Sequence, residues 1–129
     1  MEASTSVVTG VDFACVPTQD FEAARDFYGS VLGLEERVQW GQMPAVEFQA
    51  GNLTVVIMDP TAFGMEFRTS SVPLAFRVDD VAEARAGLES QGIEFRGDII
   101  DSGVCHQAIF SDPDGNLLIL HHRYAPPVV

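Results

Sequence analysis

Three side chains in strand-like stretches of this sequence could do acid–base chemistry: His106, His121 and Glu47. The turn Asp112-Pro113-Asp114-Gly115 is predicted to join the last two strands. Pairing Ser111 with Asn116 sets His106 opposite His121 and Ala108 opposite Ile119. On that register Phe110, Ala108, His106, Leu117, Ile119 and His121 share one sheet face. Two imidazoles there could form an acid–base pair or part of a metal site. They could equally be a cross-strand pair at a rim, bonded to backbone or water, and a one-residue slip dissolves the pairing. His122 faces the other way and is given no role. Glu47, next to Phe48, becomes a candidate base if burial raises its pKa, and is otherwise a solvated strand carboxylate. Trp40, the only tryptophan, ends a predicted strand. It could stack on an aromatic ligand or pack in a core or interface. Cys15 and Cys105 lie far apart without a CxxC motif, and are expected as buried free thiols. No basic neighbour in sequence lowers the Cys15 pKa, so it is not read as a nucleophile.

The elements that position these residues come in two copies. Val11 to Val16 reads as a strand, and Asp20 can cap a helix whose apolar face is Phe21, Ala24, Tyr28 and Val31. Gly33 stops it. Pro73 to Val78 repeats the strand. Asp80 repeats the cap with Glu83 as its capping-box partner, Val81, Ala84 and Leu88 repeat the face, and Gly92 repeats the stop. Ala24 and Arg25 match Ala84 and Arg85. The ends match as well: Gly51 to Met58 parallels Gly115 to His122, which aligns Val55 with Ile119. Each half has room for two further strands, near 36–40 and 45–49 in the first and near 93–96 and 104–110 in the second. Each half is therefore β-α-β-β-β. The apolar linker Thr61 to Phe67 could fold over a cavity mouth or pack at an interface. The Pro126-Pro127 tail cannot continue a central strand and could drape over a partner.

Composition narrows the function. The chain has 129 residues, 47% hydrophobic and 20% charged, as a folded globular protein does. That length suits one domain over 1–129, with module 1 at about 8–59 and module 2 at about 72–123. Nineteen acidic residues against seven basic ones give a net charge of −12, and all seven basic residues are arginine. Such a surface repels phosphate backbones and anionic lipid, so neither nucleic acid nor membrane is an expected partner. A cationic small molecule would be drawn in; the acidity also serves solubility alone. Met1 to Ser6 has no basic or long apolar stretch, so no secretory leader is expected, and a reducing cytoplasm is the expected compartment.

The β-α-β-β-β repeat, with Asp20, Phe27-Tyr28, Leu32-Gly33-Leu34 and Asp112-Pro113-Asp114-Gly115-Asn116, resembles the vicinal oxygen chelate superfamily. That superfamily includes glyoxalases, extradiol dioxygenases and bleomycin-resistance proteins. The resemblance runs from about Val11 to His122. It implies an α+β fold in which two βαβββ modules pair into a curved mixed sheet around a cavity, and it implies a homodimer. Metal-using members place ligands seven residues before each helix-opening Asp and on the last strand of each module. Here those positions are Phe13, Pro73, Val55 and Ile119. None can donate a lone pair to a divalent cation. No metal and no cofactor are therefore expected, and the cavity floor becomes apolar. The expected ligand-binding residues are Phe13, Cys15, Trp40, Val55, Pro73, Phe110, Ile119 and His121. Three functions remain open. One is metal-independent sequestration of an aromatic or hydrophobic small molecule. One is a lyase, isomerase or oxygenase, metal-free or with a relocated metal, using His106, His121 or Glu47. One is a structural or regulatory module whose cavity is filled by its own side chains.

Overall fold

In the computed structural model, which describes residues 7–126, Asp20 and Asp80 start the two helices as expected. The hexapeptide read for a leader and Pro127 of the tail lie outside the described residues. Asp20 Oδ1 accepts from the Ala23 amide at 3.2 Å and Asp80 Oδ1 from the Glu83 amide at 2.9 Å. Each satisfies an N–H that the first helical turn leaves unpaired. Helix α1 covers Phe21–Asp26 and α2 covers Val81–Glu89. The first runs into a wide π-type turn, Phe27–Val31. The widened turn lets two successive aromatics, Phe27 and Tyr28, both point inward and be buried.

Each helix covers one face of a four-stranded mixed sheet. The first sheet holds β1 (Phe13–Pro17), β2 (Glu35–Gln39), β3 (Ala45–Ala50) and β4 (Leu53–Met58) in the order β1-β4-β3-β2. The second holds β5 (Leu74–Arg77), β6 (Phe95–Asp101), β7 (Cys105–Ser111) and β8 (Leu117–Arg123) in the order β5-β8-β7-β6. In each sheet the first and last strands run parallel and the remaining pairs antiparallel. The fold is thus α+β and built of two βαβββ modules.

Strand alternation sorts the side chains. In module 1, Val46, Phe48, Val55 and Ile57 face α1; Ala45, Val56 and Met58 face the opposite, open side. In module 2, Ala108, Phe110, Leu118 and Leu120 face α2, while Gln107, Ile109, Ile119 and His121 point away from it. The two helix-covered sides share one core, in which Tyr28 and Phe48 belong to the same cluster as Leu88 and Phe110. The modules of one chain thus meet through their helical layers.

A buried polar clasp fastens that junction. Tyr28 OH donates to Asp112 Oδ2 at 2.7 Å, and Asn116 Nδ2 donates to the same oxygen at 2.8 Å and to the Pro17 carbonyl at 2.8 Å. The Asp114 and Asn116 amides both donate to Asp112 Oδ1 at 2.9 Å. The Gln19 amide donates to Asp114 Oδ1 at 2.8 Å. Asp112 to Asn116 is therefore more than a hairpin loop. It carries polar contacts between modules, and Asp112 and Asn116 are bonded as their burial demands.

This loop also corrects the expected register. Ser111 pairs with Leu117, so the connection has five residues, whereas Ala50 pairs with Leu53 across a two-residue turn. His106 consequently lies opposite His122, and His121 lies opposite Gln107. The Gly-Asn pairs of the two modules are not equivalent. Cys15 pairs with Val56 as Ala75 pairs with Ile119, so the counterpart of Ile119 is Val56, not Val55.

Candidate functional site

The open face of module 1 carries an aromatic cluster. Strand β1 brings Phe13 and Cys15 to this face, where they stand beside Thr54 and Val56 of β4. Just after β2, Trp40 packs on Ala45, Val56 and Met58. The Phe13 and Phe63 rings meet it edge-on, at centroid distances of 6.4 and 6.0 Å and interplanar angles of 81° and 87°. Phe63 arrives there because Asp59 caps a short 3-10 turn, Pro60–Phe63, through its bond to the Thr61 amide at 3.0 Å. The start of the linker thus folds against the open face of its own module. Phe13 nevertheless keeps 48% of its surface exposed, and Met43 and Met65 are exposed as well. Uncovered apolar surface of this kind is costly in water.

One carboxylate organises the cluster. Trp40 Nε1 donates to Glu47 Oε2 at 2.7 Å. Glu47 lies between Val38 and Val56 on the open face, so the bond fixes the indole plane and leaves an acceptor beside it. Cys15 is exposed, contrary to the expected buried thiol, because β1 turns it to this uncovered side; Cys105 is buried. Partial desolvation still pushes the Cys15 thiol above its ordinary pKa, so it stays protonated at neutral pH.

The other expected residues do not converge here. Val55 and Phe110 are fully buried in the helix-side core, with Phe110 tilted against Phe95 at 4.9 Å. Pro73 is exposed just ahead of β5. Ile119 and His121 share the open side of module 2, beside Ala75 and Arg77. His106 is on the other side of its sheet. It stacks on Tyr124 at 4.8 Å, with Nε2 3.4 Å from Asp101 Oδ2, and the Tyr124 hydroxyl donates to Asp101 Oδ1 at 2.7 Å. The tail thus folds back on its own module, and the Tyr124 and Ala125 amides both donate to the Val104 carbonyl at 3.1 Å. His122 Nδ1 donates to the Val78 carbonyl at 3.0 Å. Within one chain the second sheet separates His106 from His121, and Glu47 stands in the other module.

The ligand positions expected from the resemblance are Phe13, Pro73 and Ile119, with Val56 in place of Val55 on this register. Carbon-only side chains do not fit a divalent cation. Among the described residues, no three His, Cys, Asp or Glu side chains cluster as a metal site requires. Nor is any helix among them long and apolar enough to cross a membrane.

The sequence profile of the glyoxalase/bleomycin resistance protein/dioxygenase superfamily matches residues 10–120. The chain belongs to that superfamily. Among solved structures, an antibiotic binding protein from Streptomyces is 28% identical, with a TM-score of 0.75, covering 92% of this chain and 99% of that one. A superfamily member from Sphaerobacter thermophilus is 24% identical, with a TM-score of 0.76 and coverage of 90% and 98%. A lactoylglutathione lyase from Agrobacterium tumefaciens is 20% identical, with a TM-score of 0.73 and coverage of 90% and 95%. At such identities the last two share the fold. No curated protein matches the chain.

Sequence reasoning missed Val56 and left Phe63 unassigned. Val56 needed the strand register. Phe63 had one usable signal, an Asp-Pro turn followed by two Phe and a Met in a linker that is otherwise short of reasons to be apolar.

Proposed function

We propose that this protein binds a small aromatic or hydrophobic molecule without a metal, on the face around Trp40, and sequesters it. The observation that carries this reading is the half-exposed cluster of Phe13, Trp40 and Phe63, with Glu47 fixing the indole. Flat ligands gain from such edge and face contacts, and the residues at the superfamily's metal positions supply apolar floor in place of ligands. The 28% identical antibiotic binding protein supports sequestration over turnover. The Glu47 carboxylate and the net charge of −12 favour a cationic aromatic. The open face is one-sided, so a second copy that lays its own module over it completes the crevice as a homodimer with twofold symmetry. Two free thiols suit a reducing compartment such as the cytoplasm.

Trp40 is the only tryptophan, so its fluorescence reads this site alone. Titration with planar aromatic compounds of positive, zero and negative charge should give saturable quenching at one per chain, strongest for a cation. Phe13→Ala should weaken the best ligand about tenfold, the loss of one aromatic contact. Absence of saturable quenching and of any melting shift across the panel overturns the reading. Chemical conversion of the bound compound overturns the sequestering part of it.

A further inference from the structure

A cavity lies on the other side of the first sheet. It is a crevice of about 530 Å³ between the modules, walled by Leu34, Leu53 and Val55 on one side and by Leu74, Phe76 and Leu88 on the other. That volume falls within the roughly 300–1,000 Å³ of small-molecule sites. Val55 and Val56 are neighbours on β4 and point to opposite faces, so the sheet itself separates this crevice from Trp40.

The crevice has one charge. Arg77 starts from the opposite face of β5, beside His121, but β5 is an edge strand and the exposed Arg77 side chain reaches the rim of the crevice, its Nη2 3.4 Å from where a Cβ on Gly51 would stand. Every other arginine is engaged. Arg25, Arg37, Arg68 and Arg85 pair with Glu36, Glu35, Glu66 and Glu89. Arg96 donates to the Ser111 hydroxyl, and Arg123 donates to the carbonyls of Ala125 and Pro126. Among the arginines of the described residues, the Arg77 side chain alone has neither a hydrogen bond nor an ion pair. In a chain with nineteen acidic residues, an arginine without an acidic partner at the rim of an aliphatic crevice stands out.

We infer that this crevice is a binding site for an amphipathic monocarboxylate. Its aliphatic tail lies among the leucines and its carboxylate pairs with Arg77, whose planar fork matches it. A single negative charge is the form that one guanidinium neutralises; a doubly charged phosphate would keep an excess charge against a net −12 surface. The site stands independently of ligand binding at Trp40.

Calorimetric titration with decanoate, decanol and decyltrimethylammonium, each below its micelle concentration, tests it. Decanoate should bind at one per chain, about tenfold or more tighter than decanol, as a charge-assisted contact requires. The cation should not bind. Arg77→Gln should bring decanoate down to the level of decanol. Gly87→Leu should abolish both: Gly87 lines the crevice on α2, and a Cβ there meets nothing within 4 Å, so the new side chain starts into open space. Melting of both variants without ligand at or above the wild-type temperature shows that they fold. Equal affinity for decanoate and decanol, no binding of decanoate, or binding indifferent to Gly87→Leu each overturns the inference. So does decanoate that quenches Trp40 and competes with an aromatic there, or a homodimer whose partner buries Arg77 and shuts decanoate out.

Discussion

Tyr28→Phe removes one hydroxyl from the clasp between modules, and the structure sets how much that should cost. Asp112 keeps its other three donors: Asn116 Nδ2 at 2.8 Å and the amides of Asp114 and Asn116 at 2.9 Å. The carboxylate is therefore weakened but not orphaned, and the loss is that of one hydrogen bond to a charged group, about 1.5–3 kcal/mol. An unfolding entropy of about 2 cal/mol/K per residue makes each kcal/mol worth about 4 °C in a chain of this length, so Tm should fall by about 5–11 °C. The pH dependence supplies an independent check. Burial first, and then the Asp112 charge, push the Tyr28 hydroxyl well above its ordinary pKa. The unfolded chain releases this proton near pH 10 whereas the folded chain holds it. Above that pH the unfolded state binds fewer protons, so stability should fall with rising pH by up to about 1.4 kcal/mol per unit; below it the contribution is complete. Tyr124 and Cys15 are also raised, but they titrate in both proteins, so the difference between wild type and Tyr28→Phe belongs to Tyr28. Thermal melting at neutral pH measures the first effect, and urea denaturation at several points above pH 10 measures the second. A Tm loss under about 2 °C, or the same alkaline slope in the two proteins, refutes the clasp as an energetic link between modules.

Four further outcomes can be measured. Gly87→Ala, in the interior of α2 with open space around a new Cβ, should stabilise by about 0.5–1 kcal/mol. Gly115→Ala, at a φ of 86°, should instead lose about 1–2 kcal/mol, and urea midpoints separate the two. Asp80→Ala should cost about 1 kcal/mol through the lost bond to the Glu83 amide, and Asp80→Asn should restore most of it. Incubation with Ni²⁺, Zn²⁺, Mn²⁺ or Fe²⁺ followed by elemental analysis should leave under about 0.1 metal per chain with no melting shift; stoichiometric uptake would contradict the apolar metal positions.

The local pieces are legible in the residues themselves. Asp20 and Asp80 are caps because a short carboxylate three residues ahead of a free amide can reach it, whatever lies further off. The duplicated strand–helix–strands order follows from periodicities of two and 3.6 in short windows. That order, together with Asp112 to Asn116, points to the superfamily. What sits on which face is not legible there. The loop 112–116 closes with five residues where Gly51-Asn52 closes with two, and a single residue of slip exchanges Val55 for Val56 and moves His106 away from His121. The site itself depends on still longer reach. Phe63 meets Trp40 only because the linker returns to its own sheet, and Tyr28 meets Asp112 only because two helical layers share a core. A side chain's tendency to be helical, extended or capping is decided by its neighbours in sequence. Its face is decided by hydrogen-bond register, and its partners by packing between segments that the sequence keeps apart. For this protein the residue types determined the modules and their caps, while the tertiary structure alone decided that Phe13, Trp40 and Phe63 gather on the uncovered side of the first sheet and that Arg77 stands unpaired at an aliphatic crevice.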